Sequence, residues 1–212
     1  MSDPTGRAPV MVVLSHPRSL HASGAGGPAQ ASLVQSAADR VTAALGSAGA
    51  ELIIHDLYAE GFDPVLVTDQ VPDVDDVVGE DTSEQVDPLV ARHAVELAEA
   101  RALVVIHPDW WGKPPAIMTG WLDRVLMPAL AGQRLPRLRR LLVINTRTPD
   151  RTGGGDRGGD SDPLGMIWRE SVGRHLASGQ LERMVLRTDA ADREALLSAV
   201  TRASGWAAGG PR

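Results

Sequence analysis

Residues 102–126 read ALVVIHPDWWGKPPAIMTGWLDRVL, and this stretch decides the fold. Residues 102–106 form an unbroken apolar run. A strand that is apolar on both faces belongs inside a parallel sheet, where crossover helices cover both sides. Residues 107–113, HPDWWGK, interrupt the run with Pro and Gly. Pro114 and Pro115 then open a helix expected over 114–126, in the first turn where proline is tolerated. Strand, short loop and helix make one half of a βαβ unit.

The same unit recurs on both sides of this stretch. Residues 10–15 (VMVVLS) read as a buried strand. Residues 30–45 read as a helix, with Leu33, Val34, Ala37, Val41 and Leu45 at helical spacing and Gly46 and Gly49 ending it. Residues 51–55 (ELIIH) form a second strand, and residues 86–100 an amphipathic helix. Residues 141–144 (LLVI), extended by Arg140, form a fourth strand. Residues 163–176 form a helix, 184–187 (MVLR) a short fifth strand and 191–203 a last helix. The acidic stretch 69–85 reads as a surface loop, and RTGGGDRGGD at 151–160 as a flexible linker. Five strands alternating with helices give an α/β protein with a doubly wound, five-stranded parallel sheet. The 212 residues are expected to form a single domain, 1–212.

Composition excludes several classes of function. The chain has no cysteine, so disulfides, thiolate catalysis and cysteine-held metals are out. A net charge of −6 argues against nucleic acid as a partner. The N-terminus lacks the apolar core of a secretory signal, and no apolar run is long enough to span a membrane. A cytoplasmic location is expected, with no membrane partner. No metal site is expected.

In an open α/β sheet, ligands bind outside the carboxyl ends of the strands. Three loops of unusual composition leave those ends. Loop 107–113 carries Pro108, Asp109, Trp110 and Trp111. Two adjacent Trp offer a flat apolar wall, and backbone N–H groups in the turn can donate to a heterocycle's polar edge, which suits a flavin ring. Packing of both Trp on a neighbouring helix is the equal alternative. Loop 145–149 supplies Asn145, Thr146, Arg147 and Thr148. Its Asn and Thr also suit a plain turn, whereas a cation at Arg147 would face an anionic ring edge. Loop 15–29 carries His16, Ser19 and Ser23 among glycines before a helix, a natural phosphate site, although it matches neither a GK[ST] loop nor GxGxxG. His16 also reads as a capping or core residue.

These stretches together resemble a family. HPDWWGKPPAIMTGWLDRVL at 107–126 is similar to the signature of the NAD(P)H:quinone oxidoreductase family of flavodoxin-like flavoproteins. So are the opening strand with Ser15-His16-Pro17, the run HDLYAEGFDP at 55–64, NTRTP at 145–149, and Asp162-Pro163-Leu164 with Ile167-Trp168. The resemblance implies a flavodoxin-like sheet, FMN or FAD as cofactor, and NAD(P)H as co-substrate. It implies hydride transfer through the flavin to a quinone or other small aromatic acceptor. It further implies a homodimer, for which Trp121 and Leu122 beside Asp123-Arg124 read as an interface edge. Within it, His16, Ser19 and Ser23 would lie at the flavin's phosphate side. Pro108, Asp109, Trp110 and Trp111 would line the ring, and Asn145, Thr146, Arg147 and Thr148 its pyrimidine edge, with Arg147 the candidate catalytic residue. The chain departs from the family in its short segment 126–140, its Gly/Ala-rich first loop and Ala94, where a flavin-contacting Gln is common. Those departures keep two other readings open: a catalytically reduced binding or structural subunit, and a simple electron carrier.

Overall fold

The computed structural model describes residues 8–17, 32–66, 87–148, 162–176 and 180–209. The expected helix start at Gln30, the acidic loop 69–85 and the linker 151–160 fall outside these, as do Ser19 and Ser23.

Strand β1 (Val10–Leu14) is buried along its whole length and pairs in parallel with β2 (Leu52–Asp56) on one side and β3 (Ala102–Pro108) on the other. Beyond β3 come β4 (Arg140–Arg147) and β5 (Leu181–Arg187), again parallel. The order is β2-β1-β3-β4-β5, so the winding reverses between β1 and β3. That is the order of a flavodoxin-like sheet, and the reversal marks where such sheets open a crevice.

Helix α1 (Leu33–Ser47) and α6 (Arg193–Ala207) cover one face. They pack on Val10, Val12, Leu14, Val104, Ile106, Leu142 and Ile144. Ser32 caps α1 in a reciprocal box with Gln35, 3.1 Å in each direction. The opposite face holds the larger core. Over it lie α2 (Pro88–Glu99), α3 (Ala116–Trp121) with α4 (Met127–Ala131), and α5 (Pro163–Met166).

Between α3 and α4 the helix widens. The Met127 N–H reaches Leu122 O, five residues back, over the turn Leu122–Leu126. Pro128 accounts for this, because it has no N–H for the carbonyl four residues earlier and its ring crowds that turn.

Strand and helix ends differ from the sequence expectation in an informative way. Residues 145–147, expected in a loop, continue β4 and pair with His107, Pro108 and β5. Strand β3 likewise extends to Pro108, and β5 begins at Leu181 rather than 184. Asn145, Arg147 and Arg183 are held by side-chain partners distant in sequence, described below, so polarity did not end β4 and β5. Trp121 and Leu122, expected at an interface edge, are instead buried in the core of the single chain. Among the described residues, no helix is long and apolar enough to cross a membrane.

Candidate functional site

The carboxyl ends of β1, β3 and β4 meet where the winding reverses. Parallel register carries Ser15, His107 and Asn145 across them at one level: Leu14 faces Ile106, which faces Ile144, and His107 faces Asn145. All three are fully buried. Ser15 Oγ, His107 Nε2, Asn145 Nδ2 and the nearby Trp168 Nε1 have no hydrogen-bond partner among the described residues. The His107 and Trp168 rings stack at 5.7 Å. This is a polar layer under the site, not an open wall.

The wall itself is built by loop 109–113. The Asp109 N–H donates to Thr146 O at 2.7 Å, which ties the loop to β4. Trp110 and Lys113 exchange backbone hydrogen bonds of 3.0 and 3.3 Å around Trp111 and Gly112. Both central residues have positive φ, 62° and 79°. That is the geometry of a type I′ turn, usual for glycine and strained for tryptophan. The Asp109 carboxylate accepts from the Gly112 N–H at 2.9 Å and steadies the turn. The consequence is exposure: Trp110 is 40% and Trp111 96% accessible. The alternative that both Trp pack on a neighbouring helix therefore fails for Trp111. Of the backbone N–H groups expected to be free, those of Trp110, Gly112 and Lys113 are spent within the turn. Among the described residues that of Trp111 has no acceptor.

Behind the turn runs a chain of alternating charge. Arg147 donates through Nε to Asp109 at 2.7 Å and through Nη2 to Asp162 at 2.8 Å. Asp162 also accepts from Arg183, and Arg183 Nε donates to Asn145 Oδ1 at 2.9 Å. Asp162 further caps α5 through the Gly165 N–H at 3.1 Å. A Cβ at Gly165 would press on the Asp162 carboxylate and the Arg183 guanidinium, which would have to shift from this arrangement. Two guanidinium groups and two carboxylates balance. Burial alone would raise the Asp162 pKa, but the hydrogen bonds from Arg183 and Arg147 outweigh it and hold the carboxyl at about 2 instead of 3.8. Burial opposes charge on Arg147 too, and the bonds to Asp109 and Asp162 overcome it and raise its pKa.

Of the sequence-predicted residues, the structure brings Asp109, Trp110, Trp111 and Arg147 to one rim. Pro108, Asn145 and Thr146 lie buried in the strands just behind it. Thr148 is exposed, with its hydroxyl 3.2 Å from that of Thr188 on the β5 side. His16 follows β1 and is half-buried. Asp162 and Arg183 were not among the candidates. Asp162-Pro163 carries a readable signal, a capping carboxylate before proline at the first helical position. Arg183 carries none, since its partners lie 21 and 38 residues away.

Two buried histidines set the response to acid. Burial pushes His107 down to about 4, against 6.5 for an ordinary imidazole, despite its bond with Pro108 O. Burial, with the charges of His55 and Arg92, lowers His93 to about 3. A histidine whose folded pKa is depressed takes up its proton first in the unfolded chain. Its contribution is intact above pH 6.5 and drains as pH falls toward 4 and then 3. Asp162 adds a second loss between 3.8 and about 2. Urea melts at pH 7.5, 6 and 4.5 should show midpoints falling with pH, and less steeply in His107→Gln than in the parent. A flat profile from 7.5 to 4.5 would show that both imidazoles titrate normally.

The sequence model of the flavodoxin-like fold family matches residues 10–172. The chain is 36% identical over 84 residues to the uncharacterised NAD(P)H oxidoreductase YcaK of Escherichia coli, covering 38% of this chain and 40% of that protein. It is 25% identical over 122 residues to an uncharacterised NAD(P)H oxidoreductase of Haemophilus influenzae, covering 57% and 52%. The chain thus spans about half the length of these curated relatives. Among solved structures it is similar to an NAD(P)H:quinone oxidoreductase of Methanothermobacter marburgensis, with TM-score 0.65, 18% identity and coverage of 93% and 96%. It is also similar to an FMN-dependent NADH-azoreductase of Bacillus anthracis in complex with FMN, with TM-score 0.63, 14% identity and coverage of 94% and 97%. At these identities the structural likeness concerns the fold.

Proposed function

The chain belongs to the flavodoxin-like fold family, and from that premise we propose that it is a flavin-dependent oxidoreductase. It passes a hydride from NAD(P)H through a bound flavin to a quinone or other small aromatic acceptor. The observation that carries this reading is the Trp110-Trp111 turn. A strained, left-handed Trp111 lies almost fully in solvent at the point where the sheet reverses its winding. Exposing a large aromatic side chain at a cost in backbone strain has a use where a flat ring covers it. The names of the relatives support the nicotinamide and the acceptor classes, and an FMN-bound neighbour of the same fold favours FMN over FAD.

The residues fit a flavin at the ring side. Trp110 and Trp111 supply the apolar wall, the Trp111 N–H a donor, and Arg147 a fixed cation in the same rim. The phosphate side falls to His16, Ser19 and Ser23 on this reading. The capping box occupies the N–H groups of Ser32 and Gln35 at the start of α1. When bound, the flavin supplies two-electron redox chemistry at its ring. The protein's part is to wall off water with the two indoles. It also holds a positive group at the edge where negative charge develops, with Asp109 and Asp162 keeping that group in place. A homodimer in the cytoplasm belongs to the same proposal. Its interface would have to use surfaces other than Trp121 and Leu122.

Purified protein should be yellow or bind added FMN in a 1:1 complex, release FMN intact on heating, and bleach when NADPH is added without air. Reoxidation by a quinone completes the test. Bound flavin that NADPH does not reduce indicates the electron-carrier reading. No flavin, and no affinity for FMN or FAD, indicates the structural subunit and overturns the proposal.

A further inference from the structure

A second cluster of chemistry-bearing side chains lies apart from the site, at the carboxyl end of β2. His55 is the fourth residue of that strand, and Glu60 stands in the turn after it. Asp56 fixes this turn by accepting from the Tyr58 and Ala59 N–H groups at 3.2 Å. Helix α2 brings His93 and Glu96 against them. Both imidazoles are at least nine-tenths buried, and their ring centroids stand only 3.7 Å apart. His55 Nδ1 lies 2.9 Å from Glu60 Oε1, and His93 Nε2 lies 3.1 Å from Glu60 Oε2. His55 Nε2 lies 2.7 Å from Glu96 Oε2.

The His55 Nδ1–Glu60 Oε1 contact is a hydrogen bond, whereas the other two are close but misaligned. His55 Nε2, His93 Nε2, Glu60 Oε2 and Glu96 Oε2 are all buried, and none makes a hydrogen bond of proper geometry among the described residues. Buried polar atoms without partners are uncommon and call for an explanation. Here they converge, two nitrogens and two carboxylate oxygens, with one donor atom each from His55, Glu60 and His93 inside 4.8 Å of one another. Ligands at about 2.0–2.2 Å around a tetrahedral ion stand roughly 3.3 Å apart. The observed separations need only a small outward shift to reach that.

We propose that His55 Nδ1, Glu60 and His93 Nε2 form a binding site for one divalent transition-metal ion of the Zn²⁺ class. Imidazole and carboxylate without thiolate is a donor set that suits such ions. Glu96 then accepts the His55 Nε2–H, the carboxylate–histidine–metal arrangement that orients a ligand ring. The ion ties the end of β2 to α2 across the connection between residues 60 and 93.

The ion must replace the His55 Nδ1–Glu60 Oε1 hydrogen bond, and two further neighbours oppose it, which makes the proposal testable. Arg92 donates to Glu60 Oε1 at 2.8 Å and must release it; its side chain is half exposed and can swing into water. The Trp121 indole N–H points at His93 Nδ1 at 3.0 Å. A metal on Nε2 moves the His93 proton to Nδ1, so that bond is lost, which costs roughly tenfold in affinity. Trp121 is therefore a built-in reporter.

The experiment uses the tag-free chain, stripped with a chelator and titrated with Zn²⁺ by calorimetry while melting temperature and tryptophan fluorescence are followed. One equivalent should bind, raise the melting temperature and change the fluorescence. Glu96→Gln should weaken binding about 10–100-fold. Glu60→Gln, which keeps the shape but not the charge, should abolish it. Trp121→Phe should bind zinc about tenfold more tightly and lose the fluorescence response. Absence of any zinc-dependent stabilisation overturns the proposal. So does binding of equal strength in the parent, Glu60→Gln and Glu96→Gln, which would locate the ion at surface histidines. None of these readouts involves flavin, so the result is independent of the oxidoreductase reading.

Discussion

Trp121→Ala should destabilise the chain by about 3–5 kcal/mol from lost packing alone, the largest single effect on stability expected here. Trp121 is 0% exposed and belongs to the larger of the two cores, which also holds Phe62, Met118 and Leu126. Truncation empties the volume of an indole between α2, α3 and the sheet, and interiors this well packed collapse only partly around such a void. It also removes the donor to His93 Nδ1, leaving a buried nitrogen without a partner at a further cost of about 1–3 kcal/mol. A domain holds only about 5–15 kcal/mol in total, so the alanine variant should be close to unfolding. Trp121→Phe separates the two contributions, because it keeps most of the packing and loses only the hydrogen bond. Urea unfolding should then rank parent, Phe and Ala in falling order of stability, with the Phe variant nearer the parent. An alanine variant within about 1 kcal/mol of the parent would mean that the indole is not a core element, since large buried side chains cut to alanine cost about 2–5 kcal/mol.

The same residue shows why part of the molecule could be read from its sequence and part could not. Strands β1 and β3 announce themselves as continuous apolar runs, and the winding they imply is the one observed. The Trp110-Trp111 pair stands out because no core needs two adjacent indoles after a Pro. Local sequence places Trp121 outward because it neighbours Asp123 and Arg124. It turns inward because its hydrogen-bond partner, His93, lies 28 residues upstream on another helix. Asn145, Thr146 and Arg147 looked like a loop because polarity normally ends a buried strand. They continue β4 because Arg183 meets Asn145, and Asp109 with Asp162 meets Arg147. Arg183 in turn hid the first half of β5, since Glu182 and Arg183 break the apolar run before Met184. In each case the missing term was a side-chain partner supplied by parallel register or by a helix packed across the sheet. Local pattern carries no record of such a partner.

Arg147→Met should slow reduction of the FMN-loaded protein by NADPH about 10²–10³-fold, the usual consequence of removing one preorganised donor from a developing anion. The reasoning begins with restraint. An arginine free in solvent must be ordered at the moment of reaction, whereas Arg147 is already clamped at Nε by Asp109 and at Nη2 by Asp162. Its charge is secure, since those two bonds outweigh burial and raise its pKa. Two carboxylates also offset that charge, so it acts as an aimed N–H donor more than as a bare cation. Neutral donors in comparable roles give rate effects of the same size. The clamp separates two explanations of a slow variant. If Arg147 acts directly, Asp162→Asn, which weakens the clamp but leaves the guanidinium, should slow reduction less than Arg147→Met and leave FMN affinity close to the parent's. If Arg147 only fastens the end of β4 to α5, both variants should lose stability together and show the parent's rate once loaded with FMN. Stopped-flow reduction, paired with urea melts of each variant, reads both quantities. Parent-like rates in a folded, FMN-loaded Arg147→Met protein would assign the residue to the fold, with the Trp111 N–H left as the donor at the rim.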